Sequence, residues 1–119
     1  MKFTQNSTIQ MILIYVTCAD QSEAERIGKH LLNKRLTACV NVFPDAIQPF
    51  FFWPPRSGEI DSSKENVLII KSTLDNYDKI EQEIMKIHSF DTPCIIAIPV
   101  LAVADKYWQW LQEETKHDN

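Results

Sequence analysis

Three cysteines and one of the three histidines are the residues of this 119-residue chain best suited to soft-metal or nucleophile chemistry. Cys18 closes the apolar run "MILIYVTC" (11–18). His88 and Cys94 flank a turn containing Pro93 in "IMKIHSFDTPCIIAIPV" (84–100), and Cys39 lies in "TACVNVF" (37–43). Thiolate and imidazole donors suit Cu(I) or Zn(II). The same residues also have an ordinary structural reading. Free cysteine is among the most buried residue types and behaves as a small hydrophobe. A charged histidine near a helix C-terminus interacts favourably with the helix dipole. No cysteine stands in a C-x-x-C spacing and no histidine in an H-x-x-x-H spacing, so no local motif favours a metal. A Cys18 nucleophile with His88 as base needs a third, orienting group, for which Asp20 and Asp91 are the candidates. His30 and His117 read as surface residues.

The elements that would position these groups follow from periodicity. The run 11–18 is apolar at successive positions, as in a strand covered on both faces. Asp20 offers an N-cap with Glu23 as its capping-box partner. Ala24, Ile27, Gly28, Leu31 and Leu32 then mark one face of a helix. "TACVNVF" and "IQPFFFW" (47–53) read as strands, with Pro44-Asp45 as a bend in one long strand. "PPRSGEIDSS" (54–63) reads as the main loop and "ENVLIIKS" (65–72) as a strand. Asp75 is expected to cap a helix carrying Tyr77, Ile80, Ile84 and Ile87. "CIIAIPVL" (94–101) is the last strand, its Pro99 pointing to a sheet edge, and Asp105 is expected to cap a closing helix.

The order β-α-β-β-α-β-α is that of an α+β, ferredoxin-like split βαβ sandwich: an antiparallel sheet, helices on one face, and an extra C-terminal helix. This topology brings Cys18, His88 and Cys94 to one end of the sheet and sends Cys39 to the other. Strand regions 11–16, 67–70 and 94–98 are apolar at successive positions, so both sheet faces need cover. With few helices to supply it, an obligate oligomer is expected. On the closing helix, Tyr107, Trp108, Trp110 and Leu111 span an arc of about 160°, wider than a core-facing stripe.

Composition limits the functions open to the chain. With 45% hydrophobic and 24% charged residues it is an ordinary globular domain. Residues 1–10 are expected to form a flexible extension and 11–119 a single domain. A formal net charge of −4 and the absence of a Lys/Arg cluster argue against nucleic acid. No run is long enough for a membrane span. With no small-residue cleavage pattern after the apolar run 11–16 the chain reads as cytosolic, and an odd number of cysteines in such a chain points to reduced thiols. With Gly28 and Gly58 the only glycines, phosphate loops and dinucleotide fingerprints are excluded. No catalytic residue is assigned.

The motifs "RLTACVNVFP" (35–44), "FFFW" followed by "GEI" (50–60), "LIIKS" (68–72), "HSFDTPCIIAIPV" (88–100) and "YWQWL" (107–111) occur in that order. In order and spacing they resemble the family of the divalent-cation tolerance protein CutA, over nearly the whole chain from Met11 onward. The resemblance implies a small ferredoxin-like subunit close in fold to PII signalling proteins, assembled as a cytoplasmic homotrimer and linked to tolerance of copper and other divalent ions. It places the family's copper ligands near Thr17–Cys18, with the thiol shifted by one position, and at His88. Cys39 matches the family's cysteine in A-A-C-V-N. Phe51 stands where the family has Tyr, Cys94 where it has Glu and Val103 where it has Gly, and "PPRS" (54–57) enlarges a loop.

Two functions follow as expectations. One is a trimeric metal-response protein binding copper or another divalent cation through Cys18, His88 and Cys94, with Cys39 a weaker candidate ligand. The other is a PII-like signalling or scaffold trimer. Its inter-subunit cleft, lined by Trp53, Lys71, His88, Tyr107 and Trp110, would hold a small molecule or a protein partner.

Overall fold

The computed structural model describes residues 10–115. The expected extension, apart from Gln10, and His117 lie outside the described residues. Strand β1 spans Met11–Cys18 and helix α1 Gln21–Asn33; β2 is Cys39–Ile47, β3 Phe50–Phe52, β4 Ile60–Ser62 and β5 Glu65–Thr73. After a 3-10 turn at Leu74–Asn76 come α2 (Tyr77–Ile87), β6 (Ile95–Pro99) and α3 (Asp105–Glu114). Strands β2, β5, β1 and β6 pair antiparallel in that order, while β3 and β4 form a separate two-stranded ribbon. Two crossing β-α-β units with β1 and β5 at the centre are the ferredoxin-like arrangement.

Side-chain alternation divides the sheet into two chemistries. Ile12, Ile14, Val16 and Cys18 of β1 face α1 and α2, packing with Leu68, Ile70, Ala24, Ile27, Leu31, Ile80 and Ile84 in the main core. The intervening positions face the other way. There Met11 and Leu13 meet Trp108, Leu111 and Tyr107 of α3 in a second, smaller core. The central strands are therefore apolar on both sides because α3 lies across one end of the face opposite α1 and α2. Beyond its reach Phe43, Ile96 and Ile98 stay 45%, 50% and 46% exposed. The wide arc of α3 resolves accordingly, with Trp108 and Leu111 buried and Trp110 turned outward.

Helix ends depart from expectation in two places. Asp20 caps α1 as expected, its carboxylate accepting from Glu23 N at 2.8 Å. The helix closes with Leu36 N donating to Leu31 O at 3.1 Å and Arg35 N to Leu32 O at 3.0 Å, around Arg35 at φ 59°. That is a Schellman closure with arginine in the position glycine usually takes, anchored by the buried Leu36. Asp75, however, does not cap α2. The 3-10 turn intervenes, and the cap position falls to Asn76, whose side chain makes no capping bond. Nor does Asp105 cap α3. It is the first helical residue, and its charge there complements the dipole instead.

The bend expected at Pro44-Asp45 is a register shift within β2 between Phe43 and Ile47, with Asp45 at φ 50°. The loop expected over 54–63 is shorter. Ile60–Ser62 pairs with Phe50–Phe52, and Trp53 N donates to Glu59 O at 3.1 Å to continue the ribbon. Period-two apolarity is absent from "IDS", so only its partner strand reveals it. Pro99 ends an edge strand, where its missing N–H costs no ladder bond. His30 is not a free surface residue. Its Nε2 lies 2.9 Å from Glu83 Oε1 and joins α1 to α2, with Lys34 and Lys86 also on that buried carboxylate.

Helix α1 lies close against the sheet at Gly28, where an added Cβ would meet Val40 Cγ2 at 2.9 Å. Gly28→Val is expected to lower stability by about 1–3 kcal/mol through overpacking. Urea unfolding at fixed protein concentration should show a lower midpoint with an unchanged slope.

Candidate metal centre

The end of β1, the start of α1 and the end of α2 bring Cys18, Glu23 and His88 together. Their candidate ligand atoms lie within 4.8 Å of one another, the one such His, Cys and carboxylate group of three among the described residues. Cys18 is fully buried in the helix-side core, and the His88 side chain is fully buried beside it.

Two of the three, His88 and Glu23, are already engaged. His88 Nε2 lies 2.9 Å from Thr17 O, and Phe90 N donates to Nδ1 at 3.0 Å. A carbonyl only accepts and a backbone N–H only donates. The ring must therefore be neutral, with its proton on Nε2. Both nitrogens are then used: one holds the end of β1, the other fixes the turn after α2. Glu23 Oε1 accepts from Ala19 N at 2.9 Å and Oε2 from Ser89 N at 2.8 Å. This carboxylate ties the β1–α1 junction to the α2–β6 turn. Burial raises the Glu23 carboxyl, but the hydrogen bonds from Ala19 and Ser89 outweigh it and hold the pKa below the usual range. For Cys18, burial and then the negative charges of Glu23 and Glu65 push the thiol up to about 12. A protonated thiol is neither a good ligand nor a nucleophile. In this state His88 and Glu23 form a latch that closes one end of the sheet over the buried Cys18.

Cys94 is not part of it. Ile95 packs into the helix-side core, so Cys94, one residue earlier, takes the opposite face of the sheet. Its charge interactions are with Tyr15 and Glu65 on that face. Topology brings Cys94 to the expected end of the sheet; parity puts the sheet between it and His88. Burial, then Glu65, raises its thiol pKa. The one-residue shift of the thiol relative to the family pattern also shows here, since Thr17 has the open-face parity and Cys18 the helix side.

Cys39 lies at the other end of the sheet, paired with Lys71, whose Nζ is 3.6 Å from its Sγ. Lys71 Nζ also stands 5.5 Å from the Tyr107 ring centroid, and the Tyr107 and Trp110 rings are 5.6 Å apart. The structure thus brings together three of the residues expected to line a cleft. Trp53 directly follows β3 on the ribbon and is 43% exposed, while buried His88 faces the helix layer and lines no open-face cleft. Glu23 was legible as a capping residue. Its contacts with the His88 ring and with Ser89 N were not, because tertiary packing brings both in from the end of α2.

The family model of the CutA1 divalent ion tolerance protein matches residues 12–114. This chain belongs to the CutA family. It is 40% identical to the divalent-cation tolerance protein CutA of Archaeoglobus fulgidus over 100 residues, covering 84% of this chain and 93% of that one. With the Pyrococcus horikoshii CutA it shares 38% identity over 106 residues, 89% of this chain and 99% of the relative. The solved A. fulgidus structure, described as a periplasmic divalent cation tolerance protein, superposes with a TM-score of 0.83 at 38% identity, covering 89% and 99% of the two chains. Oryza sativa CutA1 gives 0.85 at 28% identity, covering 95% and 100%. The CutA fold is thus shared over almost the full length of these proteins.

Replacing Glu23 by Gln puts an N–H donor where the carboxylate accepts two, and should cost about 1–3 kcal/mol near neutral pH. Because folding lowers the Glu23 pKa, its stabilisation is fully present above the unfolded value of about 4.3 and is lost as pH falls through the lower folded value. The gap between wild type and Glu23→Gln, measured by chemical unfolding, should therefore narrow below about pH 4.

Proposed function

We propose that this CutA-family chain acts as a cytoplasmic homotrimer in the response to divalent metal ions, taking up copper or a similar thiophilic ion at Cys18 and His88. The observation that carries the site is the convergence of Cys18, Glu23 and His88 within 4.8 Å. A soft thiol and an imidazole suit copper or zinc, and a nearby carboxylate can compensate the charge of the ion. The closed latch sets the terms of uptake. Cys18 must lose its proton, and His88 must move its proton from Nε2 and give up either Thr17 O or Phe90 N. Binding is thus coupled to opening of the turn at 88–94 and competes with protons. Cys94 and Cys39, outside this group, are spectators.

Anaerobic titration of the reduced protein with Cu(I) or Zn(II) against a chromophoric chelator tests this. The expectation is one ion per chain, with affinity falling about tenfold per pH unit below the thiol pKa. Cys18→Ser should abolish uptake, whereas Cys94→Ser leaves it unchanged; uptake indifferent to Cys18→Ser would sink the assignment.

The trimer rests on exposed apolar surface. Phe43, Ile96 and Ile98 continue the open face, and Phe50, Phe52 and Ile60 of the ribbon are 70%, 70% and 71% exposed. An apolar stretch of this extent calls for a cover, and other copies of the chain are the simplest one. Native mass spectrometry should give three times the 13.8 kDa chain mass. Ile98→Asp, placing a charge on that face, should shift the population to smaller species.

A further inference from the structure

Basic residues scattered along the sequence converge on the seam between α1 and α2, on the outer side of the helix layer. Arg26, His30 and Lys34 recur every four residues and so share one edge of α1; Lys79, Glu83 and Lys86 share an edge of α2. The two edges meet, with Arg26 Nη1 donating to Ile87 O at 3.0 Å and His30 and Lys34 reaching Glu83. Glu83, the buried carboxylate of the seam, has more cations than it needs. Lys86 Nζ lies 2.8 Å from it and His30 Nε2 2.9 Å, whereas Lys34 Nζ stands off at 3.5 Å. The hydrogen bonds from Lys86 and then His30 hold the Glu83 carboxyl down at about 2, and the Lys34 charge contributes less than either. Lys34 can therefore turn to another anion without leaving the carboxylate unpaired. Lys79 has no ion pair among the described residues. Together with Leu36 and Asn76, Lys34 and Lys79 line a cavity of about 410 Å³ between the end of α1 and the start of α2. Asn76 Nδ2 is held only by long contacts, 3.4 Å to Ser72 Oγ and 3.5 Å to Leu36 O. Asp75 and Asp78 are exposed and stand outside the lining.

We infer that this cavity binds a small phosphate monoester, its phosphoryl group held between Lys34 and Lys79 with Asn76 Nδ2 as a third donor. A phosphate monoester carries about −1.5 to −2 at pH 7, which matches two ammonium groups. A carboxylate or a phosphodiester, with one negative charge, leaves one of them unmatched. Lysine serves phosphate as a point charge on a flexible stem and needs no fork geometry. The lysine stems and Leu36 supply an apolar wall for the carbon joined to the ester oxygen. The volume falls within the roughly 300–1,000 Å³ of small-molecule sites. A single phosphoryl group also needs no extended basic track of the kind a nucleic acid requires. The start of α2 borders the cavity without a side-chain cap, so the positive end of its dipole adds to the same field.

NMR titration of the full chain with methyl phosphate, dimethyl phosphate and sodium acetate at pH 7.5 and constant ionic strength tests this, following the backbone amides of Lys34, Leu36, Asn76 and Lys79. Saturable shifts are expected with methyl phosphate, and much weaker binding of the two monoanions. Lys79→Gln and Lys34→Gln should each weaken methyl phosphate about tenfold, the loss of one hydrogen bond to a charged group. Lys29→Gln removes the same charge from α1 about 140° round the helix from Lys34 and should leave the affinity unchanged. So should Cys18→Ser, which disables the proposed metal site. Circular dichroism of each variant separates lost binding from lost fold. The proposal is overturned by an absence of saturable shifts, or by dimethyl phosphate binding as tightly as methyl phosphate. It is equally overturned if Lys29→Gln weakens binding as much as Lys79→Gln, because the anion would then respond to overall charge and not to this cavity.

Discussion

The architecture depends on the need to keep both faces of two adjacent strands dry. β1 and β5 pair along their whole length, and each carries apolar side chains at successive positions. One face is covered by α1 and α2. The other receives α3 at one end and no other helix. Fully burying a side chain such as Ile14 or Leu68 is worth about 1.5–3 kcal/mol, so this pair of strands dictates where everything else must sit. The helices form where they cover it, the edge strands extend it, and the uncovered remainder stays exposed as apolar surface at Phe43, Ile96 and Ile98.

The same parity sorts the reactive side chains. Along a strand, adjacent residues look to opposite faces, so a thiol's face is decided by odd or even position rather than by distance along the chain. Cys18 falls on the helix side, where burial raises its pKa and His88 and Glu23 close over it. Cys94 and Cys39 fall on the open side, at opposite ends. Three cysteines in one small domain therefore occupy three unconnected environments. No single ion can collect them within one chain.

Much of this was legible in the residues. Successive apolar positions in 11–16 and 67–70 revealed the two-faced strands, Asp20 and Glu23 the start of α1, and Pro99 the edge. The motifs from "RLTACVNVFP" to "YWQWL" revealed the family. Three things were hidden for physical reasons. Asp75 and Asp105 look like caps, but a local signal cannot register the 3-10 turn ahead of α2 or the chain direction entering α3. β4 has no apolar alternation and exists only because β3 pairs with it. The pairing of Cys94 with His88, suggested by their nearness in sequence, fails because the turn between them delivers Cys94 to the far side of the sheet. Topology identified the right end of the molecule, and side-chain parity decided the rest.

How the latch can work follows from the bonds it already holds. Both His88 nitrogens and both Glu23 oxygens have partners: Nε2 has Thr17 O, Nδ1 has Phe90 N, and the carboxylate has two backbone amides. A ligand there gains only what exceeds the bonds it breaks, so the site resists occupation until an ion with strong preference for thiolate arrives.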